Sequence, residues 1–339
     1  MSDEKSKATL LKEEIMMKGS KGAATLNAEE IKKADDFCVG YKKFLDHSPV
    51  EREAVSYTLE LAKKAGFTEY DENASYNAGD KVYYVNRDKA IALAVIGKSG
   101  VKNGARLAIA HIDSPRIDLK PNPLYEDTNL ALFKTHYYGG LKKYQWTALP
   151  LSLHGTVVKL DGTKVNITWG DDENESCFCV TDLLPHLAKD QASKPLAKVF
   201  TGEDLNVLVG SRPYEDGNDE KDLVKLNVMS ILNKKYGIVE GDFLSAELCL
   251  IPSFKARDIG FDASMIGGYG HDDKVCAYPA LMASLDVETP EQTCVTYLTD
   301  KEETGSDGNT GMQSDFLRYF IYDLAKQEHL SFGRCKRSL

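Results

Sequence analysis

The chain has 339 residues, 42 % of them hydrophobic, with 42 basic against 52 acidic side chains and a formal net charge of −10. That length exceeds one typical domain and leaves room for two, or for one domain with a large insertion. The acidic balance and the lack of a basic stripe argue against a nucleic-acid surface, and no apolar run approaches the roughly 20 residues of a membrane span. The charged opening MSDEKSKATLLKEEIMMKGSKG has no apolar segment of the signal-peptide kind. The seven cysteines are odd in number and mostly set in apolar stretches, so we expect buried, reduced thiols in a cytoplasmic protein. Cys177-Phe-Cys179 lacks the spacing and the second pair of a zinc motif.

In chain order, Asn27 with Glu30 forms a capping-box pattern ahead of a helix to about Leu45. Ser48-Pro49-Val50-Glu51 repeats the pattern with proline at the first helical position, and Gly66 closes that helix. KVYYVNRDKAIALAVIG reads as a hairpin and ARLAIAHIDSP as a buried strand ending at His111, an α/β texture. LSLHGTVVKLDGTKVNITWG then offers two β-rich runs around Asp161-Gly162, a strong hairpin signal. A helix from Asn218 to about Lys235, stopped by Gly237, precedes the strand AELCLI. After Pro252 come a glycine-rich loop, GGYGHDDK, a helix through Leu285, a strand running into Glu302, and an amphipathic helix from Ser314 to about Gln327. That last helix carries Phe316, Leu317, Phe320, Ile321 and Leu324 on one face. The expected fold class is α/β. A mixed-sheet domain with a helical flank (1–118 and 254–339) is interrupted by an inserted β-rich domain (119–253).

Three short motifs could carry chemistry. In AHIDSP, His111 offers a neutral imidazole suited to zinc or cobalt, and Asp113 is placed to fix its tautomer; a turn histidine before a capping Asp-Ser-Pro is the alternative. In GHDDKVCAY, Asp272 and Asp273 open a helix, where capping alone explains one aspartate. In TYLTDKEETGS, Glu302 and Glu303 follow a strand; at a strand-to-loop turn both carboxylates can face one cavity. One can then ligate a metal while the other takes a proton from water; two solvated loop charges are the plainer reading.

As an ordered set, HIDSPRIDLKP, YYGGL…W, HDDKVCAY and DKEETGS resemble the aspartyl aminopeptidase family of dinuclear zinc metallopeptidases, in its bacterial branch, over residues from about 25 to about 328. The resemblance implies that His111 ligates one metal, Asp113 orients it, Asp272 bridges two metals, Glu302 is the general base and Glu303 ligates the second metal. It further implies two zinc ions per site, with cobalt or manganese as alternatives, and a peptide substrate that loses its N-terminal residue. A homo-oligomer built through the inserted dimerisation domain is also implied. His186 in DLLPHLA is the best match for the family's histidine that reaches a neighbouring subunit's site, with a helix-packing role as its alternative. His136 and His154 read as structural, and Lys274 stands where many relatives have arginine.

The family completes its site with an aspartate and a histidine well beyond the Glu pair, whereas only 36 residues follow Glu303. His329 comes too early in family order to replace them. The expectation is therefore a C-terminally incomplete chain with two protein ligands per metal, uncovered sheet edges, weak metal binding and little peptidase activity. A non-catalytic assembly or peptide-binding subunit is the second reading, and another dinuclear hydrolase such as a deacylase the third. Phosphate-loop, H-E-x-x-H and G-x-S-x-G motifs do not occur.

Overall fold

The structure, a computed structural model, describes residues 5–17, 19, 25–216 and 220–326. The chain divides into two compact units, Met1–Tyr41 and Lys42–Leu339. Helices α1 (Lys7–Ile15) and α2 (Ala28–His47) come first. The capping box ahead of α2 is present: Asn27 Oδ1 accepts the amides of Glu29 and Glu30, and the Glu30 carboxylate accepts the Asn27 amide at 2.9 Å.

The second unit continues with α3 (Glu51–Lys64), β1 (Thr68–Glu69), β2 (Lys81–Asn86), β3 (Ala90–Val95), β4 (Arg106–His111), β5 (Arg116–Asp127), β6 (Leu130–Tyr138), β7 (Leu151–Val158), β8 (Lys164–Trp169) and β9 (Cys179–Val180). It closes with α4 (Lys189–Ala192), β10 (Val207–Gly210), α5 (Leu223–Tyr236), β11 (Ala246–Pro252), β12 (Arg257–Ile259), β13 (Met265–Gly267), α6 (His271–Asp286), β14 (Cys294–Thr299) and α7 (Phe316–Lys326).

Two sheets organise it. Sheet A is mixed, in the order β1-β2-β3-β14-β4. Its β2–β3 hairpin is antiparallel, as the sequence leads one to expect, and β14 runs antiparallel to β3 but parallel to β4. Sheet B, in the order β8-β7-β11-β5-β6-β10-β9, is antiparallel throughout and contains the expected β7–β8 hairpin. All its strands lie between Arg116 and Pro252. The middle strands of sheet A are covered on both faces. Val82, Ala92, Ala94, Val295 and Tyr297 pack against Leu317, Phe320, Ile321 and Leu324 of α7. On the other face Lys63 of α3 lies over the Tyr83 ring, and Ser284 of α6 hydrogen-bonds Thr296. Alternate strand residues thus feed two different layers, which is why β3 is buried at every position.

Four local expectations change. The stretch ending at His111 is an edge strand, buried only at Ala110 and His111, with Leu107 and Ile109 exposed; an apolar run has the same composition whether or not a neighbour covers it. Helix α3 starts at Glu51 with Val50 as its uncapped N-cap, so neither Ser48 nor Pro49 serves as expected; the Glu51 carboxylate is taken by Arg116 of β5 instead. Helix α5 starts at Leu223 because Glu126 of β5 accepts the amides of Val224 and Lys225, both at 2.9 Å. The expected start at Asn218, the end of α7 at Gln327, Cys335 and His329 lie outside the described residues. Finally, only Cys249 among the six described thiols is buried, whereas Cys177 and Cys276 are exposed; sequence neighbours of a thiol do not say which way it faces.

Candidate active site

The parallel pairing of β4 and β14 sets Thr299 beside His111, so both strands release their chains at one edge of sheet A. That edge, at the carboxyl ends of neighbouring strands, is where α/β sheets build sites. From β4 the chain passes through His111 to Asp113; from β14 it passes through Lys301, in a left-handed conformation with φ 71°, into the short 3₁₀ turn Glu302–Thr304. Helix α6 delivers Asp272 from its first turn. Asp272 and Asp273 have non-helical backbone angles, and the residue in the N-cap position is Gly270, without a side-chain cap.

His111 is buried, with both ring nitrogens engaged. Nδ1 lies 3.0 Å from the Asp113 carbonyl oxygen and 3.2 Å from Asp113 Oδ1. Nε2 lies 3.1 Å from Asp272 Oδ1 and 3.6 Å from Glu302 Oε2. The side chains of Asp272 and Glu302 are 87 % and 56 % exposed, so the carboxylates converge on the imidazole from the solvent side. Asp113 is fully buried. Its two oxygens accept the amides of Glu302 and Glu303, each at 3.2 Å, and the Tyr138 hydroxyl at 2.7 Å. Burial pushes the Asp113 carboxyl upward, yet these donors and the His111 charge hold it below the usual carboxylate range. Burial likewise opposes charge on His111, but its bond to the Asp113 carboxylate outweighs this and raises the imidazole to about 9. Glu303 is raised by burial and by the nearby Asp113 charge, against a backbone donor at Gly140.

The structure thus brings His111, Asp113, Asp272, Glu302 and Glu303 together. His186 stands elsewhere: it is exposed in a turn before α4, among the exposed Leu183, Leu184 and Leu187. Sequence reasoning gave no role to two residues found here. Lys274 is fully buried, donates to Ser114 Oγ at 2.8 Å and to the Pro49 carbonyl, and is lowered by burial to about 8. Tyr138 sits at the end of β6; the adjoining YYGG run was the available signal.

In kind, the donors fit zinc: one imidazole and convergent carboxylates, with the imidazole's other nitrogen already held by a carboxylate. In arrangement they fall short, since among the described residues no three His, Cys, Asp or Glu side chains are grouped to hold one ion.

Residues 44–334 match the family model described as aminopeptidase I zinc metalloprotease (M18). A Clostridium acetobutylicum protein named "Probable M18 family aminopeptidase 1" is 50 % identical over 288 residues, which make up 84 % of this chain and 62 % of the relative. One of the same name from Borrelia garinii is 45 % identical over 302 residues, 88 % of this chain and 66 % of the relative. The chain therefore spans 62 % and 66 % of the length of these two relatives. Among solved structures, an M18-family aminopeptidase of Thermotoga maritima superposes with a TM-score of 0.87 at 41 % identity, covering 93 % of this chain and 68 % of that one. With the family model covering most of its length and relatives near half identity, the chain belongs to the M18 family of zinc metalloproteases.

Proposed function

We propose that this chain carries the Glu-pair part of a metal-dependent aminopeptidase site, which removes the N-terminal residue of a peptide. The observation behind it is the convergence of the Asp272 and Glu302 carboxylates on His111 Nε2, at 3.1 and 3.6 Å, while Asp113 holds Nδ1. His111, Asp272 and Glu303 would hold zinc, two ions with Asp272 shared, and cobalt or manganese could replace it. A metal held by these residues would supply Lewis acidity toward the scissile carbonyl and toward water. Glu302, exposed beside these donors, takes the proton of the attacking water and returns it to the leaving amine. Asp113 keeps His111 in one orientation.

The grouping of all sheet B strands between Arg116 and Pro252 supports reading residues 119–253 as an inserted dimerisation domain. Exposed leucines around His186 support its role at a neighbouring copy in a homo-oligomer. The unpaired thiols fit a cytoplasmic setting; among the described residues no helix is long and apolar enough to cross a membrane.

With two protein donors per ion among the described residues, below the three or four of ordinary zinc sites, these residues should hold metal weakly and support slow turnover. The test is an aminoacyl-anilide panel with Zn²⁺, Co²⁺ or Mn²⁺ added. Glu302→Gln should cut whatever turnover is seen by about 100-fold or more; unchanged turnover would remove Glu302 as the base, and fast turnover by the parent would overturn the low-activity claim. The absence of a three-donor group among the described residues favours a second reading, a non-catalytic assembly or peptide-binding subunit. Metal content near zero per chain supports that one.

A further inference from the structure

The turn Tyr138-Gly139-Gly140 has no part in the mechanism just given, yet it is where sheet B meets the Glu pair. Tyr138 ends β6 and is 7 % exposed. Its hydroxyl donates to Asp113 Oδ2 at 2.7 Å, the shortest contact that carboxylate makes. The ring is held face-on by the Arg116 guanidinium, 4.1 Å from its centroid, and Arg116 is fixed in turn by Glu51 at 2.7 Å. Buried neighbours therefore set the place of the hydroxyl. The next residue, Gly139, has φ +73°, and a Cβ there would stand 2.8 Å from Glu303 Oε2 and 3.1 Å from Glu303 Cβ. The carboxylate oxygen can swing aside, but the approach to Glu303 Cβ and the left-handed φ both favour glycine here. The Gly140 backbone lies alongside the same carboxylate and favours its charged form.

We propose that Tyr138-Gly139-Gly140 is the positioning element of the site, Tyr138 fixing Asp113 and the two glycines seating Glu303. The proposal rests on the metal-site reading above. Tyr138 is a positioning residue, since it acts through Asp113. Asp113 is wholly buried and serves four donors at once: His111, Tyr138 and the amides of Glu302 and Glu303. Losing the Tyr138 hydroxyl removes the shortest contact and leaves Oδ2 only the Glu303 amide at 3.2 Å, which loosens the hold of Asp113 on His111 and on the turn bearing the glutamates. Sheet B would thereby set the geometry of a site whose donors all lie outside it.

The test is Zn²⁺ affinity of the full 339-residue chain, read by competition with a weak chromophoric chelator, together with the visible spectrum of the Co²⁺ form. Tyr138→Phe and Gly139→Ala are compared with the parent, and His111→Ala and Glu303→Gln serve as controls. Each turn variant should weaken Zn²⁺ binding by roughly 10- to 100-fold and alter the Co²⁺ band shape, while metal-free Tyr138→Phe melts close to the parent. Suppose the controls lose binding but Tyr138→Phe stays within about twofold of the parent; the positioning role is then overturned and the metal-site reading stands. A lower metal-free melting temperature with unchanged affinity likewise overturns it, leaving Tyr138 a merely structural residue. Controls that bind as the parent does sink the metal-site reading and this proposal with it. Should Gly139→Ala fail to fold, Tyr138→Phe decides alone, because it removes one oxygen and keeps the ring.

Discussion

Glu51 shows how far one residue's role can lie from its local pattern. Three residues after Ser48 it looks like a capping-box partner, but in the fold it is buried and pairs with Arg116 at 2.7 Å and Lys89 at 3.3 Å. Arg116 also donates to Asp118 at 2.8 Å. A partner far along the chain outcompetes a backbone amide next door, and no single-sequence pattern encodes that choice. Ionised groups this deep depend on one another: without Arg116, Glu51 would have only Lys89 at 3.3 Å to offset its burial. Arg116→Met should therefore destabilise the chain by about 3–5 kcal/mol in urea unfolding; a loss below ~1 kcal/mol would place this pair with ordinary surface bridges. At the same scale His111 and the Glu pair were legible as metal-site candidates, since residue type and strand-end position point to them. Tyr138 was not legible, because its importance comes from reaching across to Asp113.

At the scale of elements, periodicity read well wherever one face is buried. Helix α7 is the clearest case: of the five apolar positions on its expected face, Leu317, Phe320, Ile321 and Leu324 are buried in the sheet A core, and Phe316 is partly buried against Tyr84 and Tyr297. Phe320 is fully enclosed, with Tyr70 edge-on at 5.6 Å. Phe320→Ala should cost about 3–5 kcal/mol, since the cavity adds to the lost transfer energy. Thermal or urea unfolding checks it, and a cost under ~1 kcal/mol would mean that α7 contributes little to that layer. Edges are what periodicity cannot supply. β3 and β4 read alike as apolar strands, yet β3 is central and β4 marginal, because sheet order depends on where β14 inserts.

For the whole molecule, α3 is fastened to three strands of sheet B through charge. Its Glu51 holds Arg116 of β5, its Arg52 holds Glu247 of β11 at 2.6 Å, and its Glu53 faces His154 of β7 at 3.0 Å. His154 is buried, and its other nitrogen faces Asp171 at 3.2 Å. Burial opposes its charge, but the Asp171 and Glu53 bonds prevail and raise it from 6.5 to about 9. A raised imidazole stabilises the fold fully below its unfolded value, so this contribution is present below about pH 6.5 and fades as pH rises through about 9. Glu51 behaves oppositely. Burial pushes it up, but Arg116 and Lys89 bring it from 4.5 to about 2, so its contribution is present above about pH 4.5 and fades toward pH 2. Stability, followed as melting temperature against pH, should therefore plateau between these limits and fall on both sides. His154→Gln should flatten the alkaline limb; an unchanged limb would mean His154 is neutral in the fold.

The order β3-β14-β4 also has a consequence for synthesis. β3 and β4 are consecutive in the chain but never pair, and the strand that separates them lies about 180 residues after His111. At ribosomal speeds that is roughly 10 to 40 s during which an all-apolar strand waits with one edge bare. That bare edge is open to mispairing throughout the interval, and β14 closes it by filling the slot, bringing Glu302 and Glu303 to the site as it does so.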